Sequence, residues 1–138
     1  MIFVDTNFFL RFFLQDNFSQ FRQTKKLFHQ ASSGQATLGT SLVVFFEVYW
    51  VLSSLYGKKH ELVLQTLLAI ANMDFIILPQ RQLLKTCLAN FSRFNYDLED
   101  AYNFFYAQSK KVSDFVTFDK KLKAKFSHSF KIYKLKII

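Results

Sequence analysis

One cysteine, one proline and three glycines are all that this chain of 138 residues carries of the residues that staple, kink or loosen a backbone. A lone cysteine, Cys87, cannot close an internal disulfide, so a disulfide-stapled fold is excluded. It stands in an apolar, helix-patterned stretch and reads as a small core residue rather than a reactive thiol. The chain fits a reducing compartment, and a cytoplasmic location is expected. With so little proline and glycine there is no linker, internal repeat or low-complexity segment, and residues 1–138 are read as one domain, long enough to bury a core. Long hydrophobic runs are missing too. The longest, "LVVFFEVYWVL", has 11 residues and contains Glu47, which makes it too short and too charged to span a bilayer. No positive start precedes an apolar run at the N-terminus, so neither a signal peptide nor a membrane partner is expected.

Negative charge is scarce as well. Ten Asp and Glu stand against 18 Lys and Arg, for a net charge of +8. The excess is uneven, because residues 110–138 hold nine Lys and only Asp114 and Asp119, a balance of +7. Such a stretch suits a polyanion, either nucleic acid or an acidic protein, and equally well a solvated face. What is abundant is apolar: a hydrophobic fraction of 51% excludes general disorder, and the 19 Phe are read as core filler in place of Leu and Val.

The periodicities alternate along the chain. "IFVD" reads as a short buried strand and "NFFLRFFL" as a helix. Residues 18–33 place Phe18, Phe21, Leu27, Phe28 and Ala31 at helical spacing, and Gly34 stops them. "ATLGT" reads as a second strand, with Ser41 as N-cap of a mostly apolar helix over 42–56 that Gly57 closes. A helix over 59–72, the strand "FIIL" ended by Pro79, and a helix over 80–94 follow. Asp97 is read as the cap of a helix over 98–110, "FVTF" as a fourth strand, 119–126 as a short helix and "KIYKLKI" as a last strand. Strands alternating with helices predict an α/β fold, a parallel sheet with helices on both faces.

Four of the ten acids stand where a carboxylate is out of place. Asp5 ends the first strand, Glu47 lies inside the most apolar helix, Asp100 opens a helix beside Ala101, Phe104 and Phe105, and Asp119 follows "FVTF". In a parallel sheet the residues just after strands lie at the carboxyl edge, where ligands bind. Asp5 and Asp119 fall there directly. Asp100 can reach the same edge from a helix start, and Glu47 by leaning toward the N-terminus of its helix. Four carboxylates in one pocket repel, by about 4 kcal/mol for a like pair at 4 Å and an effective dielectric of 20. An all-oxygen cluster suits Mg²⁺ or Mn²⁺, whereas His29, His60 and His128 are too scattered for zinc. Each acid also has a plainer reading. Asp5 and Asp119 can cap the helices that follow them, and Asp100 can simply favour a helix N-terminus. Glu47 has no Lys or Arg within four residues and is the hardest to explain that way.

Four segments, "MIFVDTNFFLRFF", "TSLVVFFEVYWVL", "YDLEDAYNFFYA" and "VTFDKKL", resemble in order and spacing the signature segments of the PIN domain, in particular VapC-type toxins of bacterial toxin–antitoxin pairs. The resemblance covers essentially the whole chain. It implies a three-layer α/β/α sandwich around a mostly parallel sheet and a Mg²⁺-dependent endoribonuclease, with Mn²⁺ as a possible substitute, leaving 3′-hydroxyl and 5′-phosphate ends. It carries the family's catalytic and metal-binding quartet onto Asp5, Glu47, Asp100 and Asp119, and its supporting polar positions onto Asn7 and Thr117. Arg11 matches a frequent family residue and equally suits an exposed helix position. Asp97 and Glu99, beside the third acid, are read as cap and helix surface. The implied partners are an RNA substrate, a cognate antitoxin that blocks the site, and a second copy of the chain in a homodimer. Lys120, Lys121 and Lys123 of the basic tail could hold the RNA backbone. Two alternatives stand beside this reading: a non-toxin PIN nuclease of RNA processing, and a basic module that binds RNA without cutting it.

Overall fold

The computed structural model describes residues 1–91 and 97–127. Its centre is a small parallel sheet of three strands, β1 (Ile2–Phe3), β2 (Leu38–Gly39) and β3 (Ile76–Ile77), in the order β1-β2-β3. Ile2 pairs with Leu38 and Leu38 with Ile76, and one residue later Phe3 pairs with Gly39 and Gly39 with Ile77. The ladder runs past the strands: Val4 N–H donates to Gly39 O at 2.8 Å, Thr40 N–H to Ile77 O at 3.0 Å, and the Thr40 hydroxyl to Val4 O at 2.8 Å. These bonds bind the carboxyl ends of the strands together just before Asp5 and Ser41. The strand order does not reverse among the described strands, so no switch point marks a crevice. The strand ends alone define the edge.

Helices wrap this sheet: α1 (Thr6–Leu14), α2 (Phe18–Ser32), α3 (Leu42–Trp50), α4 (His60–Ala71), α5 (Arg81–Phe91), α6 (Leu98–Ser109) and α7 (Lys120–Phe126). The α/β class with a parallel sheet read from the sequence is the one observed, with the strands much shorter than the helices. Asp5, Asn17 and Ser41 cap α1, α2 and α3 through their side-chain oxygens, as short polar residues at helix starts do. Gly34 and Gly57 take positive φ after α2 and after the α3 segment, which supports their reading as helix stops. Helix α3 ends at Trp50 and continues as one π-helical turn over Val51–Leu55, inside what the sequence suggests is a single helix over 42–56.

The core is built from both classes of element. Val4, Leu38 and Ile76 of the sheet region meet Phe9, Phe45, Leu67 and Leu84 of the helices, all fully buried. Much of the phenylalanine is structural. Phe12 packs edge-on against Phe28 at 4.9 Å and joins α1 to α2, which agrees with Phe as core filler. Cys87 is fully buried, and burial pushes its thiol up to about 12, consistent with the core reading. A satellite cluster of Phe104, Ala107 and Phe126 docks α7 on α6, with Phe104 and Phe126 rings 4.6 Å apart.

Two strand expectations are corrected. Ile2 and Phe3 of "IFVD", expected in a buried strand, pair in β1 but are exposed, because the apolar burial there falls to Val4. "FVTF" is not a strand: residues 115–118 run irregularly, with Val116 and Phe118 exposed and Phe115 turned into the satellite cluster against Phe126. The last strand, "KIYKLKI", and the end of the helix expected over 80–94 lie outside the described residues, as does His128. Phe18, expected on the inner face of its helix, is 73% exposed.

Candidate active site

Each of the four acids is positioned by a different local device. Asp5 follows the β1 ladder in an extended conformation, and its Oδ1 accepts the Phe8 N–H at 3.0 Å. Asp119 caps α7 in the same way, with Oδ1 accepting Lys121 N–H at 2.7 Å and Leu122 N–H at 3.1 Å. The capping role that the sequence allowed for both residues is therefore present. Capping occupies one carboxylate oxygen, and Oδ2 of each takes no hydrogen bond among the described residues. Thr117 supports the second turn, since its Oγ1 accepts the Asp119 N–H at 3.0 Å. Asn7 is exposed and shares with Asp5 a pocket of about 190 Å³ that Gln20 and Gln23 of α2 also line.

Glu47 is exposed although it lies in the most apolar helix, and its partner is not a cation. The buried Thr6, the first residue of α1, donates its hydroxyl to Glu47 Oε2. This bond ties α3 to the residue immediately after Asp5. Asp100 is set by the other end of the molecule. Its carboxyl is pushed up by burial first and then by the charges of Asp97 and Asp119, with Lys125 pulling the other way. Phe104, one turn on from Asp100, receives Phe126 at the end of α7, and that docking carries Asp119 and Lys125 toward Asp100.

Glu47 is therefore tied to the residue that follows Asp5, and Asp119 lies near enough to Asp100 to push its carboxyl up. The helices that carry Glu47 and Asp100 also touch: the rings of Phe46 and Tyr102 meet at 5.2 Å, and Tyr49 of α3 faces the start of α6. Among the described residues no three His, Cys, Asp or Glu side chains are grouped to share one metal ion. Asp5 and Asp119 are each held by their own helix start, and Lys125 offsets the negative charge beside Asp100. The donor chemistry, carboxylate oxygens with open lone pairs and a desolvated Asp100, does fit a hard divalent cation.

Asp97 and Glu99 depart from their expected roles. Asp97 occupies the N-cap position of α6 without a side-chain capping bond. Its carboxylate faces the Tyr49 hydroxyl instead, whose pKa is raised mainly by burial and then by Asp97. Glu99 is not helix surface. Both its oxygens are buried without a hydrogen bond of good geometry, burial pushes its carboxyl up, and the nearby Trp50 indole offsets that only in part.

The basic candidates are placed differently from one another. The Arg11 guanidinium is paired with Asp16 and donates to the Tyr56 hydroxyl at 3.3 Å; the Asp16 hydrogen bond is the main reason its pKa is raised. Lys120 and Lys121 are exposed and Lys123 half-buried along α7. Thr6 and Lys125 are the site residues that reasoning from sequence missed. A signal existed for Thr6, because a hydroxyl packed between apolar neighbours needs an acceptor. None existed for Lys125, one of several Lys in a basic helix.

The sequence model of the PIN domain matches residues 2–125. No curated protein sequence matches the chain. Among solved structures, the chain is similar to the crystal structure of Mycobacterium tuberculosis VapC20, a toxin that cleaves the sarcin-ricin loop, at 20% sequence identity. That likeness covers 91% of this chain and 95% of that one, with a TM-score of 0.42.

Proposed function

Since the chain belongs to the PIN domain family, a family of nucleases, we propose that it is a Mg²⁺-dependent endoribonuclease that hydrolyses RNA phosphodiester bonds as the toxin of a type II toxin–antitoxin pair. The observation that carries this reading is the placement of Asp119 beside Asp100, whose charge is disfavoured first by burial and then by Asp97 and Asp119, while Asp119 itself is fixed by a backbone turn. A protein gains nothing in stability from such a pair, so a bound cation is the natural compensation. Asp100 and Asp119 would hold the ion, and Asp5 and Glu47 would join them once the ion draws the carboxylates together; Mn²⁺ has the same ligand preference. When bound, the ion supplies Lewis-acid polarisation of the phosphate and a hydroxide-like water.

The remaining work falls to the chain's own groups. Thr6 holds the Glu47 carboxylate in one orientation, and Thr117 fixes the backbone that aims Asp119. Lys125 offsets negative charge beside Asp100. Asn7 offers an amide at the mouth of the Asp5 pocket. Lys120, Lys121 and Lys123 would add backbone contacts along α7.

An antitoxin and a second copy of the chain complete the proposal. Val43 and Trp50 on α3 and Leu55 in the π turn are exposed apolar residues that a partner chain could cover. No helix among the described residues is long and apolar enough to cross a membrane.

The test is RNA cleavage by the purified chain with Mg²⁺ and with EDTA, mapping the new RNA ends, with Asp5→Asn as control. Cleavage that persists in EDTA or in the Asp5→Asn chain overturns the mechanism. The product of a neighbouring reading frame that co-purifies with the chain and silences cleavage supports the toxin assignment over a role in RNA processing.

A further inference from the structure

Helix α2 carries a charged face that the reading above does not use. From Phe18 to Ser32 it contains no Asp or Glu, and Arg22, Lys25, Lys26 and His29 are all exposed. Spacings of three, four and seven put these residues on one side of the helix. The opposite side is buried through Thr24, Phe28 and Ala31, and the Phe12–Phe28 contact locks it to α1, so the basic face stands on a fixed element. Among the described residues Arg22, Lys25 and Lys26 have no carboxylate partner; the ion pairs there are those of Arg11 and Arg81. Three cations without counter-charge on a rigid helix face form an electrostatic track.

At the start of that face stands Phe18, exposed to solvent where the sequence pattern expects a buried ring. The Asn17 cap, whose Oδ1 accepts the Gln20 N–H at 3.0 Å, fixes the turn that presents it. The Arg22 guanidinium carbon lies 5.7 Å from the Phe18 ring centroid. Ring and cations line one open groove of about 680 Å³ together with Gln23. Gln23 also lines the pocket that holds Asp5 and Asn7, so the groove and that pocket are neighbours across one side chain.

We propose that the outer face of α2 is a track for single-stranded RNA, with Arg22, Lys25 and Lys26 holding successive phosphates, Phe18 stacking a base, and Gln23 passing the strand to the Asp5 pocket. The proposal rests on the nuclease reading for the direction of the strand, not for the binding itself. Cationic grooves combined with exposed aromatic rings are the physical signature of single-strand binding. An acidic protein segment would satisfy the cations equally well. It would leave the ring unused, and the amides of Gln20 and Gln23 suit sugar and base edges better than a run of carboxylates. RNA is therefore the occupant favoured.

The test measures binding by the full chain in EDTA, with a short oligouridine and with a polyglutamate peptide, over a range of salt. In the Arg22→Gln, Lys25→Gln, Lys26→Gln triple variant the slope of log affinity against log salt should fall by about 2, since each phosphate contact on a single strand contributes about 0.7. RNA affinity at 0.1 M salt should drop tenfold or more, on the order expected from that slope. Phe18→Ala should weaken RNA binding by about fivefold or more and leave the slope unchanged, as loss of one stacked base would. Circular dichroism melts of both variants confirm that they fold, which these exposed positions should permit. A wild-type slope and affinity in the triple variant overturns the proposal. So does polyglutamate binding that displaces RNA while Phe18→Ala changes nothing, which would hand the face to an acidic protein. A chain that binds RNA through α2 but never cuts it supports the track and removes the nuclease reading. A chain whose cleavage keeps its KM in the triple variant does the reverse.

Discussion

Thr6 Oγ1 donates a hydrogen bond to Glu47 Oε2 across 41 residues of sequence, joining the first turn of α1 to the middle of α3. It explains how a carboxylate sits in the helix "LVVFFEVYW" without a cation beside it. Glu47 faces solvent on one side and a buried hydroxyl on the other.

Thr6→Val should cost less than about 1 kcal/mol, because it replaces a buried hydroxyl by an apolar group of the same shape and leaves Glu47 in water. It should nevertheless slow RNA cleavage by freeing the carboxylate. Glu47→Gln keeps an acceptor for Thr6 and removes the charge, so it should fold as well as the wild type and fail to cleave. Paired thermal melts and cleavage rates decide. A Thr6→Val chain that cleaves at the wild-type rate would show that the orientation of Glu47 is immaterial.

At Asp5 and Asp119, capping and chemistry separate by choice of substitution. Both side chains accept backbone N–H groups at helix starts. Asn caps nearly as well as Asp, whereas Ala loses about 1 kcal/mol of capping. Asp5→Asn should therefore melt like the wild type without divalent ions, Asp119→Asn like it or higher because it relieves Asp100, and each Ala variant several degrees below its Asn counterpart. All four should lose cleavage. Asn variants with full activity would return these acids to a capping role alone.

What could be read from the sequence follows from how local each cause is. Caps and stops depend on a few neighbouring residues, and Asp5, Ser41, Gly34 and Gly57 act as their types suggest. β1, β2 and β3 were recognisable as short apolar runs between turn signals. "FVTF" has the same look, yet a strand needs a partner, and Phe115 finds its burial against Phe126 instead. The four acids could be picked out by their odd positions. Their neighbours in the fold could not, because these depend on the Thr6–Glu47 bond and on α7 docking through Phe104, both long-range. Asp97 looked like a cap from its position in the chain, but its carboxylate turns toward Tyr49, a residue from another helix.

Arg81 is a second long-range device hidden behind an ordinary helix start. Its guanidinium donates to Ala71 O at 2.6 Å, to Met73 O at 3.1 Å and to Ile76 O, closing the end of α4 onto β3. Arg81→Met should cost roughly 2 kcal/mol, because these half-buried carbonyls lose a charged donor. Urea unfolding should show a lower midpoint with an unchanged slope. A midpoint equal to wild type would mean that water replaces the guanidinium without loss.

Cys87 should report unfolding. Alkylation requires the thiolate, and burial both hides this thiol and pushes it up to about 12. Iodoacetamide should leave the native chain unmodified at neutral pH and label it only as fast as it opens. Labelling should therefore accelerate in the destabilised Arg81→Met chain. Rapid labelling of the native wild type would contradict the burial.

Asp100 yields the sharpest contrast between a structural and a functional carboxylate. Its carboxyl lies above the ordinary 3.8, first through burial and then through Asp97 and Asp119, partly offset by Lys125. Between 3.8 and that raised value the native state keeps a proton that the unfolded chain has lost. Stability therefore falls as pH climbs through this window, and the full penalty is present at neutral pH. Asp100→Asn removes the penalty and should melt higher than the wild type at neutral pH without divalent ions. The difference should shrink as pH is lowered through this window and be gone well below 3.8, where the wild-type carboxyl is protonated in both states. Mg²⁺ should raise the melting temperature of the wild type by mass action and that of Asp100→Asn less. An acid kept only to favour a helix N-terminus behaves in the opposite way, because its charge stabilises the first turn and the amide loses that gain. Melts of the two chains across pH, with Mg²⁺ and with EDTA, separate the two cases. An Asp100→Asn chain that melts below the wild type at neutral pH and shows the same Mg²⁺ response would assign Asp100 to the helix.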